Sequence, residues 1–226
     1  MCSSDLTTLR LVLELDGERV ARVTPHIGYL HSGFEKLGEA LDYNQYVTIC
    51  SRMDYLSPIA NDIAWHGAVE KLFGIEITTR CKVLRTIMAE MARIQNHLLC
   101  VGAAGLDLNA FTGFIYAFNV REKIYDLVDY ISGQRFHPDW TRVGGLMQEI
   151  PDDETFKRMV KNLIHVEIPQ AVADLENLLN RNRIFMDRTQ GVGVLTHDEA
   201  IAWSTDRKST RLNSSHQIIS YAVFCL

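Results

Sequence analysis

No run of about 18 apolar residues occurs in this sequence, so nothing in it reads as a membrane span; docking onto a membrane partner stays open. Positive charge is also short. Its 23 Lys and Arg face 28 Asp and Glu, and the formal net charge of -5 makes nucleic acid a poor partner. The five cysteines, Cys2, Cys50, Cys81, Cys100 and Cys225, form no CxxC pair and match no zinc or iron–sulfur spacing. They read as buried free thiols of a reducing compartment. No Walker pattern is present, no GxGxxG follows a strand, and Gly191-Val192-Gly193 is too weak a signal for a nucleotide loop. Residues 1–6 have neither a basic start nor an apolar run, so no secretory leader is expected.

What is present is a chain of 226 residues, 47% of them hydrophobic, enough for a real core in one or two domains. Its ends break with the rest. A helix-like run stops near Trp203, and a basic, Ser-rich string then leads into a short apolar end, as translated sequencing adapter would. We read 1–6 as a non-native leader and 205–226 as a non-native tail, leaving 7–204 as a partial domain.

Residues 9–15 alternate as a strand, Asp16-Gly17 signals a two-residue hairpin turn, and residues 18–23 return, with Val20 and Val23 as core contacts and Pro25 as the end. Residues 31–40 begin a short helix or an extended lid, and 43–50 are ambiguous. Pro58 suits the first turn of a helix running to Phe73, with Ile59, Ile63, Val69, Leu72 and Phe73 on its apolar face and Gly74 just past its end. Thr79 starts a helix running to about Ala104, with a stripe of Val83, Ile87, Met91, Ile94, Leu98 and Val101. Residues 106–132 read as a further long helix and 134–151 as a loop. A helix led by Asp152-Asp153-Glu154 runs to about Asn182 with a kink or break at Pro169. Residues 183–194 read as a loop or short strand, and Thr196 caps a last short helix. The expected class is α+β: a mostly helical bundle with a small N-terminal β-hairpin.

Four places could carry chemistry. The stretch 25–36 packs His26, His31, Gly28, Gly33, Glu35 and Lys36 into twelve residues, as the wall of a site or a structural network would. Metal ligation there lacks a clear third ligand; an ion network or simple solvation are the alternatives. Arg52 and Asp54 flank Tyr55, whose hydroxyl keeps its proton at neutral pH and can donate to a carbonyl oxygen, unless the group is only a structural ion pair. Asp107, read as lying at a helix start, is either a cap or a group that tunes a histidine. The loop from Arg135 through His137 to Arg142 offers positive charge to a redox centre or simply packs on helix ends.

Several ordered motifs resemble one family. LRLVLELDGE, PHIGYLH-x-GFEK, RMDYLSP, AVEKLFGIE, NHLL-x-x-G-x-x-x-LD, GQRFH with VGG, and GVGVLT are similar to the D subunit of proton-pumping NADH:quinone oxidoreductase, respiratory complex I. The resemblance covers nearly all of residues 8–204. It implies an incomplete version of a fold related to the nickel–iron hydrogenase large subunit. Asp54 and Ser57 stand where that relative has metal-binding cysteines, so no soft ligand set remains and the former metal cavity becomes a quinone site.

By this resemblance Tyr55 hydrogen-bonds one quinone carbonyl, and Arg52, Asp54, His31 and Gly33 line the same site. A histidine that meets the other carbonyl falls at Leu6, inside the leader. Asp107 pairs with that histidine, and His137 lies beside the terminal iron–sulfur cluster. Ser32 stands where many relatives have arginine. The implied partners are the adjacent subunit carrying that cluster, the membrane-arm subunits, and quinone as substrate. No cofactor is held by this chain alone, and the implied place is the cytoplasmic side of the bacterial inner membrane, peripherally. A ferredoxin- or deazaflavin-linked relative and a non-catalytic helical docking scaffold are the alternatives.

Overall fold

The structure is a computed structural model that describes residues 10–203. The expected leader, the expected tail, Leu6, Cys2 and Cys225 lie outside the described residues. The chain divides into two compact units, the first reaching Asp42 and the second starting at Tyr43.

The first unit is a hairpin of β1 (Arg10–Asp16) and β2 (Arg19–His26), followed by the short helix α1 (Phe34–Gly38). Asp16 still pairs with Arg19, so the turn is Gly17-Glu18, one residue later than expected. Gly17 takes it at a φ of 62°, which costs little without a Cβ. Register slips between Glu14 and Leu15, and Ala21 is left unpaired as a bulge. Pro25 sits within the strand opposite Leu11 and does not end it; in a two-stranded ladder every strand is an edge, where a missing N–H is tolerated. Alternation puts Leu11, Leu13, Leu15, Val20, Val23 and Pro25 on one face. Val20 and Val23, expected in a core, are exposed in this unit, because a lone hairpin has nothing of its own to cover that face.

The second unit is helical. A single turn, α2 (Val47–Cys50), resolves the ambiguous stretch before α3 (Pro58–Phe73). Pro58 opens α3, and Gly74 closes it in the left-handed conformation, as the sequence indicates. The long helices α4 (Thr79–Asp107) and α5 (Phe111–Ser132) form the main core pair. Thr78 caps α4 by accepting from the Cys81 N–H.

The helix expected to begin at Leu106 begins at Phe111. Asn109 takes a φ of 65° between the two, and asparagine tolerates that conformation better than other non-glycine residues. Asp107 therefore ends α4 and does not start a helix. The core runs through Met88, Leu98, Ile124, Leu127 and Ile131 to Leu175 and Leu179. Of the expected stripe on α4, Met91, Leu98 and Val101 are buried, while Val83 is exposed; Leu84, Met88 and Ala92 continue the buried line in its place. Cys50 and Cys81 are buried free thiols, whereas Cys100 is exposed on the outer side of α4.

After α5 the loop folds into a minimal ladder of β3 (Thr141–Arg142) and β4 (Gly145–Leu146). Then α6 (Asp153–Asn162), capped by Asp152, passes through a π turn at Leu163–Glu167 into α7 (Ile168–Leu175) and a second π turn at Glu176–Asn180. Pro169 is absorbed without a break. The Ile168 N–H reaches back five residues to the Leu163 carbonyl, and this widened turn accommodates the proline, which has no N–H to donate. Residues 183–189, expected as loop or strand, form α8 (Arg183–Thr189). The Asn182 side chain accepts from the Ile184 and Phe185 N–H groups and starts the helix. Thr196 and Glu199 make the capping box of α9 (His197–Ala202). The class is α+β, predominantly helical, with the N-terminal hairpin as expected. Among the described residues no helix is long and apolar enough to cross a membrane.

Candidate functional site

The inward face of α3 is not the apolar stripe expected of it. Leu72 and Phe73 are exposed, and the buried residues are Pro58, Ile59, Asp62, His66, Val69 and Glu70. Asp62, His66 and Glu70 are four residues apart, so they rise one above the other on a single face. Each meets the loop after α5 at a later residue. Asp62 reaches Asp139 through Ser51, whose Oγ lies 2.9 Å from Asp62 Oδ1 and 2.5 Å from Asp139 Oδ1. His66 Nδ1 is 2.8 Å from Thr141 Oγ1. Glu70 accepts the Gly144 N–H at 2.8 Å and a bidentate pair of hydrogen bonds from Arg85 of α4 at 2.8 and 2.9 Å. The same guanidinium donates to the Arg142 and Gly145 carbonyls. The loop is thus pinned along α3 in register, with Trp140 fully buried beneath it.

The electrostatics follow from this burial. Removal from water raises the Asp62 carboxyl to about 7, with Asp139 adding to the rise and the Ser51 hydrogen bond, Arg142 and Arg52 opposing it. Burial, joined by Arg85 and Arg142, lowers His66 to about 4. Burial and then the charge of Asp62 push the Cys50 thiol up to about 11, so it is no nucleophile at neutral pH. For Glu70, burial acts upward, but the Arg85 and Gly144 hydrogen bonds outweigh it and leave the carboxyl below its ordinary range.

The pinned loop carries His137, and the turn between α2 and α3 carries Arg52, Asp54 and Tyr55. His137 and Asp139 flank Pro138 at φ values of 52° and 43°, a conformation that the pinning sustains at residues with a Cβ. The His137 ring packs on Phe136 with centroids 4.2 Å apart and hydrogen-bonds the Ser51 backbone. Burial, followed by Arg52, holds this imidazole below its usual range, with Asp139 acting in the other direction.

Asp54 accepts from the Leu56 N–H and from Asn96 of α4 at 3.1 Å, and Asn61 donates to the Cys50 and Asp54 carbonyls. Arg52 donates to the Thr48 carbonyl. Tyr55 projects from this fixed turn, 56% exposed. The structure therefore brings Arg52, Asp54, Tyr55 and His137 to one end of α3. Asp107 is exposed eleven residues beyond Asn96 on α4, roughly 16 Å along the axis at the standard helical rise. His31 and Gly33 belong to the first unit, where Gly33 is the residue before α1, at a φ of 65°. In that unit Lys36 pairs with Glu39 on the surface, as a solvated ion pair does.

Arg135, expected to offer positive charge, spends it locally on Glu122 and Asp126 of α5. Among the described residues no group of three or more His, Cys, Asp or Glu side chains could hold a metal ion. Of the residues that organise the site, Ser51 and Asp139 lay inside candidate stretches without a role of their own, and Asp62, His66, Glu70 and Arg85 were not among the sequence candidates. The available signal was the spacing of Asp62, His66 and Glu70 by four on a helix whose apolar positions do not make a clean stripe.

Comparison with known proteins converges on one family. The family model described as "Respiratory-chain NADH dehydrogenase, 49 Kd subunit" matches residues 107–211. The chain is 48% identical over 193 residues to the second NADH-quinone oxidoreductase D subunit of Rhizobium meliloti, covering 85% of this chain and 47% of that protein. It is 45% identical over 192 residues to the D subunit of Methylacidiphilum infernorum, covering 85% of this chain and 45% of the relative. To the D subunit of Akkermansia muciniphila it is 42% identical over 197 residues, covering 86% and 46%. The chain spans about half the length of the curated relatives it matches. At 42–48% identity over about 85% of its length, the chain matches the family of NADH-quinone oxidoreductase D subunits, that of the 49 kDa subunit of respiratory-chain NADH dehydrogenase.

Proposed function

We propose that this chain forms the quinone side of an NADH:quinone oxidoreductase, working as one subunit of a respiratory complex. Electrons enter from NADH on other subunits and reach an iron–sulfur cluster held by the adjacent subunit. They pass singly to a quinone between that subunit and this one. The Tyr55 hydroxyl donates to a quinone carbonyl and stabilises the negative charge that grows there, as fixed donors do most strongly where water is excluded. Arg52 and Asp54 hold the turn that presents Tyr55. His137 takes up a proton as electrons arrive at the cluster. Asp107 acts behind a histidine that the family has in the position of Leu6. His31 and Gly33 contribute to quinone binding. The protonation changes drive the membrane-arm subunits to translocate ions, and the complex holds this subunit on the cytoplasmic face of the bacterial inner membrane. This chain itself binds no cofactor; quinone is its substrate.

The observation that supports this reading is the rigid presentation of Arg52, Asp54 and Tyr55 next to His137. The turn is tied to α3 and α4 by Asn61 and Asn96, and the loop is tied to α3 by the buried polar contacts. Such pre-organisation is what charge stabilisation in a transition state requires. The experiment is Tyr55→Phe in the assembled complex. Quinone reduction falls on the order of a hundredfold, as for loss of one positioned donor, while NADH still reduces the clusters. Quinone kinetics equal to those of the parent enzyme would remove Tyr55 from this role.

A further inference from the structure

Ser51 has one hydroxyl proton and three acceptors around it: the Val47 carbonyl at 3.1 Å, Asp62 Oδ1 at 2.9 Å and Asp139 Oδ1 at 2.5 Å. One hydroxyl cannot donate to two carboxylates at once. If both were ionised, one of them would face the lone pairs of the hydroxyl across a buried contact. A proton on one carboxyl removes the conflict, since the acid then donates to Oγ and Oγ donates to the other carboxylate. Asp62 is the natural holder. It is fully buried, and its Oδ2 has no partner, so its ionised form would be nearly unsolvated, while Asp139 is only half-buried.

We propose that Asp62, Ser51 and Asp139 form a proton-holding relay that sets the protonation of His137. With the shared proton on Asp62, Asp139 carries the negative charge, two residues from His137, and favours its protonated ring. In the relay step the Asp62 O–H bond breaks as a new bond forms to Ser51 Oγ, and the original Ser51 O–H bond breaks as one forms to Asp139 Oδ1. One proton crosses, the negative charge moves from Asp139 to Asp62, and no electron is transferred. His137 then loses its nearby anion and releases its proton more readily.

Other charged and titratable groups bear on the carboxyls from every side. Cys50 comes from α2, Arg52 from the turn, and Arg142 from the loop, while His66 stands one turn further along α3. Arg52 and Arg142 moderate the pair, and neither forms a salt bridge with Asp62 or Asp139 among the described residues. The link to quinone reduction rests on the function proposed above; the shared proton itself does not.

The test uses the assembled complex and infrared difference spectroscopy across a pH titration, together with quinone kinetics. The protonated-carboxyl stretch is expected at neutral pH, disappearing as pH rises and missing in Asp62→Asn. Ser51→Ala slows quinone reduction on the order of tenfold or more and displaces its pH profile, with cluster reduction by NADH unchanged. Ser51→Thr, which keeps the hydroxyl, restores both. A band that survives Asp62→Asn, or its absence from the parent enzyme at neutral pH, overturns the shared proton. A parental rate and pH profile in Ser51→Ala overturns the relay. An inert Tyr55→Phe variant accompanied by an intact, Asp62-dependent band would place the failure in the quinone assignment and leave the shared proton standing.

Discussion

The hairpin of β1 and β2 and the inward face of α3 are opposites. The hairpin presents an apolar face to open space: Leu11, Leu13, Leu15, Val20 and Val23 are each between 46% and 59% exposed. Helix α3 turns Asp62, His66 and Glu70 inward to 6% exposure or less. Apolar burial is non-directional, so a hydrophobic face accepts whatever covers it. Buried polar groups must each find a partner at hydrogen-bond distance, so they fix one geometry. In this chain the polar face determines where the loop lies, and the apolar face of the hairpin determines nothing within its own unit.

The contrast breaks most sharply at the Glu70–Arg85 pair, whose side chains are 8% and 5% exposed. Arg85→Met leaves the Glu70 carboxylate with the Gly144 N–H alone and strips the Arg142 and Gly145 carbonyls of their shared donor. The expected cost is about 3–5 kcal/mol, much of it the penalty of an uncompensated buried charge. Urea unfolding followed by circular dichroism measures it. Adding Glu70→Leu to the same chain should recover a large part of the loss, because the stranded charge is then gone. A single variant as stable as the parent would mean that the polar face does not pin the loop.

A second test separates Asp62 from His66 by pH. Asp62 keeps its proton in the folded chain up to about 7, and the unfolded chain loses it near roughly 3.9. Between those values the folded state binds more protons, so this residue makes stability fall as pH rises. His66 is the reverse: neutral in the fold down to about 4 and protonated in the unfolded chain below roughly 6.5, it makes stability rise with pH across that window. The two slopes oppose one another from about 4 to about 6.5. Asp62→Asn should uncover the His66 slope, with stability gained on raising the pH, and His66→Leu the Asp62 slope, with stability lost. Each amounts to on the order of 2–3 kcal/mol over the window. Urea midpoints measured from pH 4 to 7 decide it; profiles parallel to that of the parent would mean that neither group is held in its neutral form.

Much of the architecture was legible because it rests on local chemistry. Pro58 and Gly74 bracket α3, Thr196 caps α9, and the alternation of residues 10–15 makes a strand, all of which neighbouring residues decide. The misses came where a local signal was overridden or had no periodicity. Asn109 breaks what reads as continuous helix, and Asn182 starts a helix in a stretch that reads as loop. Pro169 follows a π turn that no propensity announces. The site was half legible. Arg52, Asp54, Tyr55 and His137 carry recognisable motifs and share one end of α3. The groups that hold them there are non-local: Ser51 and Asp139 are 88 residues apart, and only the fold reveals that they meet.

The mildest test returns to the hairpin. Leu13 is 48% exposed opposite Val23, and Leu127 is fully buried in the α4–α5 core. The two residues are chemically identical, so Leu→Ala at each removes the same atoms and isolates the effect of surroundings. At Leu127 the loss of transfer energy adds to that of a cavity which the packed helices cannot fill, giving about 2–5 kcal/mol. At Leu13 the removed atoms already face open space, little new cavity can form, and the change should stay within about 0.5 kcal/mol. Parallel urea unfolding of the two variants gives the contrast directly. A cost at Leu13 approaching that at Leu127 would mean that the apolar face is covered in the chain as measured, and the distinction drawn between the two regions would fail at its apolar end.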